Sequence, residues 1–78
     1  MDKQIQLEKS KFGKRLRQLR KHRKLTQIDL ELLCGVNNAD ISRIENGDQN
    51  IEFNTVVKFA ISLKVPVKEL FNYTEELP

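Results

Sequence analysis

Between residues 37 and 46 the chain carries Asn37, Asn38, Ala39, Asp40, Ser42, Arg43 and Asn46, interrupted by Ile41, Ile44 and Glu45. At helical spacing Ile41 and Ile44 fall on one edge, which leaves Asn38, Ala39, Ser42 and Arg43 facing outward. These side chains suit recognition rather than bond making. Arginine can pair bidentately with guanine O6 and N7, asparagine with adenine N6 and N7, and alanine can touch a thymine methyl. The set therefore predicts contact with base edges in a DNA major groove. Catalysis has little to work with: one histidine, one cysteine, no paired nucleophile and base, no phosphate-cradling glycine loop and no metal-ligand cluster. Neither an enzyme nor a cofactor or metal site is expected, and no small-molecule substrate is evident.

A helix that enters a groove must stand proud of its domain while a neighbour fixes its angle. Thr26 is placed to cap such a neighbour, running to about Cys34, with Gly35 as its C-terminal breaker. Asn37 can cap the following helix, and Asp40, three residues on, can answer it as in a capping box. Leu30, Cys34, Val36, Ile41 and Ile44 form the apolar lock between the two. Upstream, Phe12, Leu16 and Leu19 define an amphipathic first helix with Ser10 available as its N-cap. Downstream, Asn46-Gly47-Asp48 is a turn, and Phe53, Val56, Phe59, Ala60 and Leu63 define a fourth helical stripe. Pro66 breaks the chain before a last short helix from Val67 to Phe71. The expectation is an all-α, compact five-helix domain over residues 11–71, with an N-terminal arm (1–10) and a frayed C-terminal tail (72–78).

Seventy-eight residues, 38% hydrophobic and 32% charged with three glycines and two prolines, suit one small soluble domain with one core. No apolar run approaches a membrane span and the N-terminus lacks a signal-peptide stretch, so no membrane partner and a cytoplasmic location are expected. Cys34 reads as a small core residue, and His22, off the apolar stripe, as solvated. The net charge of +3 is uneven: residues 1–25 hold ten lysines and arginines against Asp2 and Glu8, whereas residues 26–78 hold four against nine acids. Such a field suggests a polyanionic partner, nucleic acid or an anionic surface, with helix-1 lysines such as Lys14 as candidate phosphate contacts.

Leu25-Thr26-Gln27, Leu30, Gly35-Val36, the run Ile41-Ser42-Arg43-Ile44-Glu45-Asn46-Gly47, and Ala60 with Leu63 resemble the phage-repressor, Cro and Xre-type helix-turn-helix family. The resemblance extends from about Phe12 to Phe71. It implies a lambda-repressor-like fold in which helices 2 and 3 form the helix-turn-helix. It also implies that Asn38, Ala39 and Arg43 touch base edges, that Ser42 reaches a base or a phosphate, and that Gln27 bonds a phosphate and braces the reading residues. Asn37 and Asn46 match backbone-contacting positions, although capping alone would explain both, and Arg43 could instead form a surface ion pair with Asp40. Arg20 and Glu45 match a structural salt bridge.

Two departures stand out. Glu31 occupies a tight position where the family usually has alanine, so its carboxylate must bend to solvent or find a cation. Ile28, Leu32 and Leu33 stand where polar residues are common. Ile28 and Leu32 could be covered by Ile5 and Leu7 of the arm, or form a partner surface. The implied function is a sequence-specific transcriptional regulator, a repressor, that binds a double-stranded DNA operator as a homodimer through Leu70, Phe71 and Tyr73. The alternative is a protein-interaction module on the same fold, such as an adaptor or a toxin-neutralising antitoxin.

Overall fold

The computed structural model describes residues 1–74. Helix α1 runs Asp2–His22, α2 Gln27–Cys34, α3 Asn38–Glu45 and α4 Phe53–Leu63, followed by a 3-10 segment, Val67–Phe71. Among the described residues there is no strand. Among the described residues the architecture is thus four α-helices and a 3-10 segment rather than five helices.

The last element is 3-10 because its backbone closes in short steps. Glu69 N–H donates to the Pro66 carbonyl at 3.0 Å and Asn72 N–H to the Glu69 carbonyl at 3.3 Å. The Glu69 carbonyl is also claimed by Arg15, whose Nε donates to it at 2.7 Å.

The first helix begins at Asp2, not after Ser10. No breaker interrupts residues 2–10, Asp2 suits the positive end of the helix dipole, and Gln4 Nε2 donates to Glu8 Oε1 one turn on at 3.2 Å. This end of α1 is docked on the turn after α3, where Gln6 Nε2 donates to the Gly47 carbonyl at 2.9 Å. Ile5 and Leu7 therefore do not cover α2. Ile5 borders a hollow with Asp2, Gln6, Lys9 and Asn50, and Ile28, Leu32 and Leu33 stay exposed, Leu32 at 79%. Of the expected tail, residues 75–78 lie outside the described residues.

The stripes expected for α1, α3 and α4 meet in one core: Phe12, Leu16, Leu19, Leu30, Ile41, Ile44, Val56, Phe59, Ala60, Leu63 and Leu70. Cys34 and Val36 pack on its margin. Phe53 does not join it; at the first position of α4 it precedes the buried face and is 68% exposed.

Helix α1 packs against α3 and the 3-10 segment, and α2 against α3 and α4. The α1–α3 contact needs a glycine. A Cβ on Gly13 would strike the Ile44 carbonyl oxygen and lie 2.5 Å from that of Glu45. Only a bare α-carbon lets the end of α3 come this close.

Two arginines of the basic first helix are inside. Arg15 is 1% exposed, its Nη2 3.1 Å from Glu69 Oε2, and Arg20 is buried against Glu45. The positive field of α1 is accordingly smaller than its arginine and lysine count suggests. Among the described residues no helix is long and apolar enough to cross a membrane.

Candidate nucleic-acid interface

The two central helices are fixed by their ends. Thr26 Oγ1 accepts from Asp29 N–H at 3.0 Å and Thr26 N–H donates to Asp29 Oδ2 at 2.9 Å, a reciprocal capping box. The Thr26 backbone N–H, and after it the Thr26 hydroxyl, hold the Asp29 carboxyl below its ordinary value. Gly35 ends α2 at φ +78°, in the left-handed region, and lets the chain turn within three residues into α3. Asn37 Oδ1 accepts from Ala39 N–H at 2.8 Å, so the expected cap is present.

The expected capping box at Asp40 is absent. Asp40 Oδ1 instead accepts from Arg43 Nη1 at 2.6 Å, because a guanidinium one turn on offers a charged donor in reach. The surface ion pair is the state of Arg43 in the free protein, and both partners remain exposed. Such a pair contributes roughly 0.2–1 kcal/mol, little enough for Arg43 to exchange it for a base.

Glu31, expected to find solvent or a cation, finds the start of α3. Its Oε1 accepts from Asn38 N–H at 2.8 Å and from Asn38 Nδ2 at 2.6 Å. The side-chain bond, then the backbone bond, holds this carboxyl below its ordinary value.

The salt bridge between Arg20 and Glu45 is present and bidentate, with Nε–Oε2 at 2.7 Å and Nη2–Oε1 at 3.0 Å. The third donor, Arg20 Nη1, reaches the Leu25 carbonyl at 2.7 Å, and Gln27 Nε2 adds a bond to Glu45 Oε1 at 3.2 Å. Helix α1, the turn into α2, α2 itself and the end of α3 thus share one cluster. The hydrogen bond of Gln27 goes to Glu45 at the end of α3, and Gln27 lines the same concavity as Asn38.

With Ile41 and Ile44 buried, α3 turns Ala39, Arg43 and Asn46 to solvent and leaves Asn38 and Ser42 partly exposed. Asn37 is exposed at one end and Asn46 caps the other, its N–H donating to the Ser42 carbonyl at 3.0 Å. Apart from Gln27, which opens α2, the residues expected to contact DNA lie on or at the ends of one helix.

An open concavity of about 500 Å³ adjoins this edge, lined among others by Lys21, Lys24, Thr26, Gln27, Ile28 and Asn38. Lys21 and Lys24 are the lysines beside the candidate contacts, a placement the charge count could not resolve. Lys14 lines a different hollow, with Lys11, Gln18 and Tyr73.

The surface expected for dimerisation is altered too. Leu70 is fully buried, whereas Phe71 remains half exposed with its ring 5.3 Å from that of Phe12. Tyr73 borders an apolar hollow with Phe12 and Phe71, and burial, then the charge of Glu8, raises its phenol above the ordinary value. Among the described residues no group of three or more His, Cys, Asp or Glu is placed to hold a metal.

Two short helices joined by a glycine turn, the second braced from behind and open to solvent in front, define a helix-turn-helix domain. Comparison with known proteins agrees: the helix-turn-helix family (HTH_3) matches residues 16–70. The transcriptional repressor RghR of Bacillus subtilis (strain 168) is 44% identical over 70 residues, covering 85% of this chain and 52% of its own. Control protein C.BamHI of Bacillus amyloliquefaciens is 31% identical over 64 residues, covering 81% and 79% respectively. The crystal structure of the restriction-modification controller protein C.AhdI from Aeromonas hydrophila superposes with a TM-score of 0.79 at 35% identity, covering 81% of this chain and 96% of that one. The chain belongs to the helix-turn-helix family HTH_3. It spans about half the length of RghR and most of the two controller proteins.

Proposed function

We propose that the chain is a sequence-specific transcriptional regulator, a repressor, that lays α3 in the major groove of double-stranded DNA and acts as a homodimer. The observation that carries the reading is the outward edge of α3. Asn38, Ala39, Ser42 and Arg43 face away from a core that Ile41 and Ile44 anchor, and buried Arg20 and Glu45 lock the helix from behind. In this reading Asn38, Ala39 and Arg43 contact base edges, and Ser42 reaches a base or a phosphate. Gln27, Asn37 and Asn46 contact the backbone, and Lys21 and Lys24 add charge beside Gln27.

The relatives described as repressor and control proteins support regulation. Dimerisation is supported by geometry: one domain spans few base pairs, so useful affinity calls for two half-sites about 34 Å apart. The exposed Phe71 and Tyr73 are the proposed contact.

The exposed strip of Ile28, Leu32 and Leu33 favours a second reading, a protein-interaction module on the same fold. Selecting bound duplexes from a random pool separates the two. A regulator should enrich a two-fold symmetric site, and its log K should fall with log salt by about 0.9 per phosphate contacted. No enrichment, with no binding at low salt, would leave the interaction module.

A further inference from the structure

Asn38 does not stand on α3 as a free amide. Glu31 Oε1 receives both its backbone N–H and its Nδ2, at 2.8 and 2.6 Å. Hydrogen bonds to an ionised acceptor are shorter and stronger than neutral ones, and these two hold the Glu31 carboxyl below its ordinary value. An asparagine amide has a donor end and an acceptor end of nearly equal shape, and half a turn about χ2 exchanges them. Here the exchange is blocked, since it would press Oδ1 against a carboxylate oxygen. Oδ1 is directed away from Glu31 and accepts no hydrogen bond from a described residue.

We propose that Glu31 is a positioning residue for base selection, which fixes the Asn38 amide so that its Oδ1 acceptor is offered to the groove. The proposal rests on the reading that α3 enters a major groove. The chemistry follows from the base edges. An acceptor held in one orientation fits a base that presents a donor there, adenine through N6 or cytosine through N4, and disfavours guanine O6 and thymine O4. With α3 in the groove, the Glu31 charge at the start of that helix would also face the phosphates. Removing it should raise affinity for random DNA while lowering discrimination, two effects of opposite sign that simple loss of folding cannot produce together.

The test uses the full chain and its Glu31→Gln, Glu31→Ala and Asn38→Ala variants. Each is taken through selection from a random duplex pool and then through Kd measurements on single-base variants of the selected site. Glu31→Gln keeps an acceptor for the Asn38 N–H and so preserves the cap, but it can also donate and thereby permits the flipped amide. Both Glu31 variants should reduce the preference for adenine or cytosine at one base pair by roughly fivefold or more, leaving other positions unchanged. Asn38→Ala should flatten that same base pair. A base profile unchanged in both Glu31 variants, or a loss spread evenly over all positions, would overturn the role of Glu31. A wild-type chain with no base preference at any position would instead overturn the groove reading on which it rests.

Discussion

Arg43 has to leave Asp40 before it can reach a base, and that exchange sets what each residue contributes. The pair is exposed and one turn apart, so breaking it costs about 0.2–1 kcal/mol, against about 1–3 kcal/mol for a good bidentate contact to guanine. Arg43→Ala should therefore weaken binding to the selected site by about 1–3 kcal/mol and relax base choice at one position. Asp40→Asn should strengthen binding to specific and random duplexes alike, since it frees the guanidinium and removes a charge from the phosphate side. Kd values for both variants on a selected and a scrambled duplex test this; a tighter specific complex with an unchanged random one would contradict it. The outward set on α3 was legible in the sequence because Ile41 and Ile44 fix the helix phase. The carboxylate partners were not. Asp40 faces either a cap or Arg43 at equal spacing, and Glu31 meets Asn38 only after the chain has turned at Gly35.

At the scale of elements, stability is concentrated where helix ends meet. Gly13 lies in the middle of α1, where glycine costs about 0.5–1 kcal/mol relative to alanine in an isolated helix. Gly13→Ala would recover that propensity and still destabilise, because the new methyl meets the Ile44 and Glu45 carbonyls and must push α3 away. A net loss of about 1–3 kcal/mol, read as a lower Tm, is expected; a rise in Tm would show that the α1–α3 contact relaxes freely.

The caps add a pH dependence. Asp29 and Glu31 both have folded values depressed by the groups they accept from, Thr26 and Asn38. Their contribution is complete above the ordinary carboxylate range and is lost as pH falls through the depressed folded values. Thermal melts from pH 7 to pH 2 should show stability falling through the acid range, and less steeply in Asp29→Asn. Most element boundaries were legible, since Thr26, Gly35, Asn37 and Gly47 each end or begin a helix by local chemistry. The start of α1 was not. Ser10 has the right side chain for a cap, but it faces Gly47 across the α1–α3 contact, and sequence spacing carries no sign of that neighbour.

Over the whole molecule, the distribution of charge matters more than its sum. Arg15 and Arg20 are committed to Glu69 and Glu45, while Lys21 and Lys24 stand at the concavity beside Gln27 and Asn38. Lys21→Ala with Lys24→Ala should weaken binding to all duplexes alike and reduce the slope of log K against log salt by about 0.9 for each phosphate no longer neutralised. Lys14→Ala should leave that slope close to its original value. A change confined to Lys14 would place the DNA two turns nearer the N-terminal end of α1. The all-helical class was legible from the spacing of apolar residues alone. The burial of two basic side chains was not, because an arginine on a polar face and one turned toward a distant carboxylate leave the same trace in sequence.

The clasp between Arg15 and Glu69 joins positions 54 residues apart and buries the guanidinium almost completely. During synthesis the N-terminal helix emerges from the ribosome long before Glu69 does. Until then the Glu69 carboxylate and carbonyl are not there to receive it, and burying a charge without its partners is costly. That face of α1 gains this clasp only once the Val67–Phe71 segment has been made and has packed against it, which ties the last described helical segment to the first.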